Sequence, residues 1–319
     1  MTTIVTTSPG FGKHGRVPDL IAREGWTLIR CTAEDLPGHM SGADFLVAGL
    51  VPVSAGTLKG APRLRAVLKH GVGVDNIDIP ACTAAGLPVC NTPAANADAV
   101  AELAVGMMFA LARFIPQGHA SVVAGGWDRR AGGQLGGKTL GIVGLGNIGK
   151  RLARLAKGLG MTVIAHDYCP DTGFASSSGI GLLSLNDLLA RADYVSLHVF
   201  GGTRNAALID DEALGRMKKG ARLINLARGE VMDLDAVARA LDSGQLGGVA
   251  IDAFTQEPPD ITHPVFAHPN AIFTPHSGAD TLEAFENVGL MVIEDIRTIL
   301  NGKIPARCLN AFNLRGDER

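Results

Sequence analysis

The stretch Gly144-Leu145-Gly146-Asn147-Ile148-Gly149 joins an apolar run, residues 140–143, to an amphipathic and basic run, residues 148–159. The first run predicts a β-strand and the second predicts a helix. A glycine turn between a strand and a helix presents unpaired backbone N–H groups at the positive end of the helix dipole, which favours a phosphate. In this context the G-x-G-x-x-G spacing predicts a dinucleotide-binding turn.

Each glycine of the turn has its own predicted role. Gly144 permits the tight turn, Gly146 lets the backbone approach the pyrophosphate, and Gly149 lets the helix pack closely on the strand. Asp167 ends the next predicted strand, where an acidic side chain would bind the ribose hydroxyls. Residues 168–170 contain no arginine to accept a 2′-phosphate, so the sequence favours NAD over NADP.

Apolar runs of strand length alternate with helical patterns on both sides of the turn. Runs after the turn are apolar on both faces, which indicates central parallel strands of a doubly wound fold. The predicted strands of this second block are residues 139–143, 162–165, 194–197, 222–226, 248–251 and 271–274. Earlier runs, at residues 3–6, 45–48, 66–68 and 89–90, predict a second parallel sheet covered by helices.

Two long helical patterns bound the second block. One covers residues 98–115, with Pro116 as its predicted end, and the other covers residues 282–300, before Asn301 and Gly302. The most apolar part, residues 103–115, is shorter than the roughly 20 residues of a bilayer span and predicts a buried helix.

The composition excludes several classes of protein. Of 319 residues, 46% are hydrophobic, 19% are charged and 41 are glycine, which is typical of a two-domain α/β enzyme. The formal net charge of −2 comes from dispersed charges, so neither nucleic acid nor a membrane is expected as a partner. The five scattered cysteines have no zinc spacing, and no basic and apolar leader follows Met1. A soluble cytoplasmic protein with free thiols and no metal is expected.

Three polar side chains, Arg228, Glu257 and His276, come shortly after the last three predicted strands, where doubly wound folds bind ligands. Oxidising a 2-hydroxy acid removes a hydroxyl proton while a hydride leaves the carbon. Histidine suits this proton transfer because its ordinary pKa is about 6.5. A carboxylate behind it orients the imidazole, and an arginine fork matches a planar substrate carboxylate.

Several long motifs in the same order resemble the D-isomer-specific 2-hydroxyacid dehydrogenase family, in its phosphoglycerate dehydrogenase-like branch. Besides the glycine turn and the three polar segments, the resemblance rests on these stretches: Lys69-His70-Gly71-Val72-Gly73-Val74-Asp75-Asn76-Ile77-Asp78, Asn91-Thr92-Pro93, Ala101-Glu102-Leu103 and Lys138-Thr139-Leu140-Gly141. It implies a substrate-binding domain of flavodoxin-like fold at residues 1–98, a Rossmann NAD-binding domain at residues 99–285, and a segment, residues 286–319, that returns to the substrate-binding domain.

The resemblance also implies roles for individual residues. Arg228 binds substrate, and His276 and Glu257 form the acid–base pair. The backbone at Val72 and Gly73 holds the substrate carboxylate, and Lys69 stands where close relatives have a phosphate-binding arginine. The implied cofactor contacts beyond the three glycines and Asp167 are Asn147, Ile148, His198, Ala227, Asp252 and His276. A homodimer through the nucleotide domain, with the loop around Trp127 contributing, is implied as well.

Two segments depart from the family pattern. Many relatives have His-x-Pro-Leu-Thr near the nicotinamide, whereas this chain has His198-Val199-Phe200-Gly201-Gly202. A Thr-Arg pair that is usual a few residues later is replaced by Asn205-Ala206. These departures predict a differently shaped loop on the cofactor side.

The leading functional prediction is hydride transfer between NAD and a small D-2-hydroxy acid, with 3-phosphoglycerate among the candidate substrates. A hydroxypyruvate or glyoxylate reductase is an alternative within the same chemistry. An NAD(H)-sensing binding protein of the same fold is an alternative from another class, which the presence of all three polar side chains disfavours. Formate dehydrogenase shares the architecture but pairs its histidine with glutamine, so Glu257 disfavours it. His70, beside the Val72-Gly73 segment, is a further candidate for substrate contact.

Overall fold

The computed structural model describes residues 1–314, and the chain divides into two compact units. The terminal unit comprises residues 1–96 together with the C-terminal residues from Ala279 onward, and the central unit comprises Ala97–Gly278. Both boundaries fall slightly before the ones predicted from the sequence. Each unit is built on its own parallel sheet.

The terminal unit has a five-stranded sheet in the order β2-β1-β3-β4-β5, with every neighbouring pair parallel. Its strands are β1 (Thr3–Thr6), β2 (Thr27–Arg30), β3 (Phe45–Ala48), β4 (Ala66–Lys69) and β5 (Val89–Cys90). This is the flavodoxin-like strand order, which confirms the predicted fold class. The edge strand β2 was not predicted, because no residue in it is fully buried and it lacks the continuous apolar run of a central strand.

Helices cover both faces of this sheet. The helices before β5 are α1 (Val17–Arg23), α2 (Leu36–His39), α3 (Ala55–Lys59) and α4 (Ile79–Ala84), and a short 3₁₀ turn covers Met40–Gly42. Central strand β3 is buried along its whole length, and its side chains alternate between two apolar clusters, Leu46 on one face and Phe45 with Val47 on the other. Each such buried side chain stabilises the fold by about 1.5–3 kcal/mol.

The central unit has a seven-stranded parallel sheet in the order β12-β11-β10-β9-β6-β7-β8. Its strands are β6 (Thr139–Val143), β7 (Thr162–His166), β8 (Gly181–Leu182), β9 (Tyr194–Leu197), β10 (Ala221–Asn225), β11 (Leu246–Ile251) and β12 (Ala271–Phe273). Counted from β6, this is the Rossmann order with a seventh strand added, and the order reverses between β6 and β9. The two-residue strand β8 was not predicted, because a segment so short carries no periodicity.

The helices of the central unit are α5 (Ala97–Arg113), α6 (Ile115–Val123), α7 (Asn147–Gly158), α8 (Thr172–Ser177), α9 (Leu185–Arg191), α10 (Asp211–Arg216) and α11 (Leu234–Asp242), with 3₁₀ turns at Thr203–Asn205, Gly229–Val231 and Pro264–Ala267. The prediction that Pro116 ends the first long helix is wrong. That helix ends at Arg113, Phe114 takes a left-handed φ of +54°, and Pro116 lies in the first turn of α6, where its missing N–H costs nothing.

Within residues 1–314, no single helix has the length and hydropathy of a membrane span, and α5 and α6 meet the criterion only as a pair bent by 63°. The chain then returns to the terminal unit through α12 (Leu282–Leu300), followed by α13 (Ala311–Leu314). Val292, Ile293 and Ile296 of α12 pack on the face of the five-stranded sheet that also carries Phe45. The C-terminal segment therefore completes the core of the terminal unit.

Candidate functional site

The glycine turn follows β6 and leads into α7, at the point where the strand order reverses. Gly144 has a φ of +98°, and a Cβ at Gly149 would lie 2.2 Å from the Gly144 carbonyl oxygen, so both positions require glycine. A Cβ at Gly146 would meet no atom within 4 Å, which leaves open space over the start of α7. The first N–H groups of this helix, including those of Asn147 and Ile148, have no intrahelical acceptor. The turn therefore fits a pyrophosphate.

Asp167 directly follows β7 and faces this turn. Its Oδ2 accepts a hydrogen bond from Leu145 N at 2.7 Å, and its Oδ1 accepts one from Cys169 N at 2.8 Å. These two bonds fix the carboxylate beside the turn while leaving lone pairs to accept from ribose hydroxyls. The placement fits the predicted role of Asp167 toward a dinucleotide.

An arginine that the sequence did not single out packs on the residue that follows this aspartate. The guanidinium carbon of Arg204 lies 3.8 Å from the ring centre of Tyr168, which directly follows Asp167. Arg204 belongs to the loop after β9, so no local pattern could have linked it to Asp167. An arginine from a distant part of the chain therefore lies over the ring of Tyr168.

His198 follows β9, and its Nε2 lies 2.8 Å from the Ser196 hydroxyl. Burial lowers the pKa of His198 to about 4, so its ring is uncharged at neutral pH. Its buried Nδ1 has no hydrogen-bond partner within residues 1–314. In the loop that departs from the family pattern, Phe200 is exposed and its carbonyl accepts from Asn205 Nδ2 at 2.8 Å, which closes the loop on itself.

Arg228 sits on a turn that a buried side chain holds in place. Asn225, the last residue of β10, is fully buried. Its Oδ1 accepts from Ala227 N at 3.0 Å, and its Nδ2 donates to the Arg228 carbonyl at 2.9 Å. The Arg228 guanidinium donates to the Ala227 carbonyl at 2.8 Å. The turn is thus fixed before any ligand binds.

His276 and Glu257 form a direct pair in the central unit. His276 Nδ1 lies 2.8 Å from both carboxylate oxygens of Glu257, and Phe254 N donates to Glu257 Oε1 at 3.0 Å. The loop that carries Glu257 packs tightly on the arginine turn, since a Cβ at Gly229 would lie 2.0 Å from Thr255 N. Because the carboxylate accepts from Nδ1–H, Nε2 of the imidazole is the atom that can take or give a proton.

A buried aspartate positions the turn that carries His276. Asp252, only 2% exposed, accepts hydrogen bonds from the Thr274 hydroxyl, from Ser277 N at 2.9 Å and from Gly278 N at 2.9 Å. His276 takes a φ of +52°, a left-handed conformation that costs free energy in a residue other than glycine. The surrounding bonds to Asp252 hold this conformation. Asp252 was predicted as a cofactor contact, and the structure gives it this positioning role.

In the terminal unit, Lys69 ends β4 and is only 5% exposed. Its ammonium donates to the Gly49 carbonyl at 2.6 Å and to Asn76 Oδ1 at 2.7 Å. Asn76 Nδ2 donates in turn to the carbonyls of Gly49 and Val51, at 3.0 and 2.7 Å. Lys69 therefore ties the loop after β3 to the segment that follows β4.

The predicted substrate-binding segment at Val72 and Gly73 follows β4 as well. Asn91 Nδ2 donates to the Val72 carbonyl at 2.8 Å, and both the amide and the hydroxyl of Thr92 donate to the Gly71 carbonyl at 3.0 Å. Residues after β5 thus fix the carbonyl side of this segment.

His70, the other candidate for substrate contact in this region, packs against aromatic rings. Its Nδ1 lies 2.9 Å from the Ser8 hydroxyl, and its ring stacks near Phe285. Burial, with a smaller contribution from the Lys69 charge, lowers the pKa of His70 to about 4. His70 is therefore uncharged at neutral pH, and its contact with substrate stays a prediction.

Across residues 1–314, no group of three or more His, Cys, Asp or Glu side chains could hold a metal ion. What the central unit brings together is a dinucleotide turn, an arginine, and a histidine hydrogen-bonded to a carboxylate at the carboxyl edge of a Rossmann sheet. These features define the class of dinucleotide-binding units equipped for acid–base chemistry.

The comparison with family models specifies this class. Residues 105–278, more than half of the chain, match the D-isomer specific 2-hydroxyacid dehydrogenase, NAD binding domain. The chain belongs to the D-isomer specific 2-hydroxyacid dehydrogenase family, and its central unit holds the NAD-binding domain of that family.

Individual relatives agree with this assignment. The chain is 43% identical over 251 residues to D-3-phosphoglycerate dehydrogenase 2, chloroplastic, of Arabidopsis thaliana, an alignment that covers 78% of this chain and 40% of the relative. It is 39% identical over 287 residues to D-3-phosphoglycerate dehydrogenase of Methanocaldococcus jannaschii, covering 89% of this chain and 55% of the relative. The chain thus spans about half the length of these curated relatives.

A solved structure matches the chain over nearly its whole length. The TT0316 protein from Thermus thermophilus superposes with a TM-score of 0.88 at 31% sequence identity, covering 97% of this chain and 100% of that one. Both units therefore have counterparts in a known structure.

Proposed function

We propose that this protein transfers a hydride between NAD and a small D-2-hydroxy acid or the corresponding 2-oxo acid. The observation that carries the proposal is the pair of His276 Nδ1 and Glu257, at 2.8 Å, on the sheet edge that also carries Arg228. A protein that only senses NAD(H) needs the dinucleotide turn but has no use for this pair. Glu257, where formate dehydrogenase has glutamine, also favours hydroxy acid chemistry.

The pair supplies the proton transfer. In the oxidative direction Nε2 of His276 accepts the hydroxyl proton, and Glu257 stabilises the resulting imidazolium through Nδ1–H. In the reductive direction the same Nε2 donates the proton to the carbonyl oxygen. Asp252 keeps the imidazole in position through the turn at residues 274–278. Arg228 holds the substrate carboxylate and polarises the neighbouring carbonyl.

NAD, when bound, supplies the hydride acceptor. Gly144, Gly146 and Gly149, with the amides of Asn147 and Ile148, would hold the pyrophosphate, and Asp167 would accept from the adenosine ribose. His198, Ala227 and Asp252 are proposed to lie along the rest of the cofactor. The open space at Gly146 and the partner-free Nδ1 of His198 within residues 1–314 support this assignment.

A D-over-L preference tests the proposed reaction. We expect NAD reduction with the D-enantiomer of at least one small 2-hydroxy acid and a rate at least about 10-fold lower with its L-enantiomer, because the hydride must leave from the face that Arg228 and His276 select. Chiral chromatography of the 2-hydroxy acid formed in the reductive direction tests the same preference for the D-enantiomer independently. Equal rates for the two enantiomers would contradict the assigned stereochemistry.

Replacing Asp167 should change the choice of nucleotide. Asp167→Ala removes the acceptor for the ribose hydroxyls, so we expect the Kd for NADH to rise about 10-fold or more. The same change removes the negative charge facing a 2′-phosphate and leaves the Arg204 cation on Tyr168, the next residue in the chain, so the Kd for NADPH should fall. Fluorescence titration with both nucleotides measures the two constants.

The double variant Asp167→Ala/Arg204→Ala is the matched control. It should lose the gain toward NADPH while keeping the weakened binding of NADH. If Asp167→Ala left the ratio of the two dissociation constants unchanged, the assigned role of Asp167 would be wrong.

For Lys69 we propose a positioning role, because its ammonium is committed to the Gly49 and Asn76 oxygens. Lys69→Met leaves Asn76 Oδ1 without its ammonium donor and removes one of the two donors to the buried Gly49 carbonyl, which should lower the free energy of unfolding by about 2 kcal/mol. Denaturant titration measures this change, and Lys59→Met, in the exposed helix α3, serves as the control. Unchanged stability, with a loss confined to phosphorylated substrates, would instead assign Lys69 to direct phosphate contact.

The names of the relatives favour 3-phosphoglycerate and phosphohydroxypyruvate as the substrate pair, and hydroxypyruvate and glyoxylate are the alternatives. The backbone at Val72 and Gly73 is proposed to bind the substrate carboxylate. Comparing kcat/KM for phosphohydroxypyruvate, hydroxypyruvate and glyoxylate decides among them. A preference for an unphosphorylated acid would overturn the phosphoglycerate assignment without affecting the proposed chemistry.

We also propose a cytoplasmic homodimer formed through the central unit. Support comes from large apolar side chains left exposed near the end of α6 and in the following loop, among them Val123 at 74% and Trp127 at 79% exposure. The free thiols fit a reducing compartment. Sedimentation equilibrium tests the dimer, and a monomer at all concentrations would exclude it.

A further inference from the structure

Two cysteines of the terminal unit face each other across a short antiparallel bridge. Cys90 ends β5, and Cys308 lies in the segment that follows α12. The flanking residues are joined by a hydrogen bond from Leu309 N to the Val89 carbonyl at 2.8 Å, so the cysteines occupy a non-hydrogen-bonded position of the bridge. Cα atoms at such positions lie about 4.5 Å apart, within the span of a disulfide of about 4.4–6.8 Å.

The bridge is held in register by a buried asparagine. Asn310 is 3% exposed, and its Oδ1 accepts from Val89 N at 2.9 Å. Its Nδ2 donates to the Thr83 hydroxyl and to the Leu87 carbonyl, both at 2.9 Å. The Cys308 thiol itself lies 3.2 Å from Asn310 Oδ1. The position of Cys308 opposite Cys90 is thus fixed by the surrounding structure.

The surroundings keep Cys90 in the thiol form in the reduced protein. Burial raises the pKa of the Cys90 thiol, and the negative charge of Asp295 and the neighbouring Cys308 thiol raise it further. The two thiols therefore interact directly. They differ in access, since Cys90 is only 1% exposed while Cys308 is half-buried. A reagent in solution meets Cys308 first.

We propose that Cys90 and Cys308 form a reversible intramolecular disulfide when the protein meets a small-molecule disulfide such as oxidised glutathione. The bond links β5 to the segment after α12 and encloses the whole central unit in a covalent loop. Because Cys90 and Cys308 already lie opposite each other in the bridge, the disulfide can form without rearrangement of the backbone. Among the five cysteines, this is the pair that the bridge brings together.

The reaction balances as two successive exchanges. The Cys308 thiolate attacks one sulfur of oxidised glutathione, the reagent's S–S bond breaks, and one glutathione thiolate leaves and takes up the Cys308 proton. The Cys90 thiolate then attacks Cys308 Sγ in the mixed disulfide. The second glutathione leaves with the Cys90 proton, so two protein thiols are oxidised and one glutathione disulfide is reduced to two thiols.

Thiol counting and peptide mapping test the proposal. After incubation of the full chain with oxidised glutathione and removal of the reagent, titration in denaturant should find three thiols, five less the two consumed. The mass should fall by two hydrogen atoms, and a non-reduced digest should contain a peptide pair joined through Cys90 and Cys308. The melting temperature should rise and return to its starting value with dithiothreitol, because the bond closes a long loop of the unfolded chain.

Variants at the two positions and elsewhere separate this pair from general thiol oxidation. Cys308→Ser and Cys90→Ala should each abolish the internal disulfide, whereas Cys31→Ser and Cys169→Ser should leave it intact. Since Cys308 is half-buried, its replacement by serine leaves a folded protein for the comparison. Retention of all five thiols, a cross-link mapped to other cysteines, or a lowered melting temperature after oxidation would overturn the proposal.

Discussion

Replacing His276 by alanine should lower kcat about 10³-fold while leaving the dissociation constant for NADH nearly unchanged. The imidazole is the group whose Nε2 takes or gives the proton, and a positioned general acid–base typically accelerates such a step 10²- to 10⁴-fold. The substitution removes no part of the glycine turn or of Asp167, so nucleotide binding should persist. Stopped-flow reduction of a 2-oxo acid and fluorescence titration with NADH provide the two measurements.

Glu257→Gln is the companion to this substitution. Glutamine keeps the shape of the side chain but loses the charge that stabilises the imidazolium, so kcat should fall about 10²-fold. A double variant of both residues should be little worse than His276→Ala alone, because the two side chains act as one unit. If turnover survived in His276→Ala, another group would carry the proton and the proposed mechanism would fail.

Replacing Arg228 by glutamine should lower kcat/KM about 10³-fold. The guanidinium is proposed to hold the substrate carboxylate by two charge-assisted hydrogen bonds and to polarise the carbonyl that accepts the hydride, and losing such a contact costs about 3–4 kcal/mol. Arg228→Lys keeps the charge but loses the fork, so it should recover only part of this loss. Steady-state kinetics over a range of 2-oxo acid concentrations measure both variants.

A matched control separates this effect from a change in surface charge. Arg239 lies on α11 in the same unit and pairs with Asp211 at the surface. Arg239→Gln should leave kcat/KM within about twofold of the unmodified protein, because a surface pair contributes little even to stability. Equal kinetics for Arg228→Gln and Arg239→Gln would remove Arg228 from the proposed site.

The central features of the fold were predictable because buried parallel strands are continuous apolar runs. The central strands after the glycine turn were recognised from such runs, and the doubly wound fold followed from their alternation with helices. The edge strands β2 and β8 were not recognised, since a strand with few buried residues shows no distinctive pattern. The end of α5 was misplaced because the chain bends at Phe114, whose left-handed φ no local pattern signals.

More of the candidate site could be predicted from the sequence in the central unit than in the terminal unit. In the central unit, Arg228, Glu257 and His276 could be placed at one sheet edge, because each follows a parallel strand. The positioning role of Asp252 was not anticipated, since it depends on donors more than twenty residues away along the chain. Arg204 was missed for the same reason, as only folding brings it to Tyr168.

In the terminal unit, the resemblance implied that Lys69 binds a substrate phosphate. The sequence could not show that its ammonium is shared between Gly49 and Asn76 within a buried network. The glycine turn, by contrast, has the backbone geometry expected from the sequence, because the requirements for glycine there are local ones of φ and close approach. Local requirements for a backbone angle or a close approach can be predicted from a sequence, whereas long-range hydrogen-bond networks cannot.

The most direct test of the proposed function is the consumption of NADH with a panel of 2-oxo acids. We expect the purified protein to oxidise NADH in the presence of at least one small 2-oxo acid, among phosphohydroxypyruvate, hydroxypyruvate and glyoxylate. The same activity should be absent from His276→Ala. Tight binding of NADH without turnover of any acid in the panel would contradict the account and identify the protein as an NAD(H) sensor.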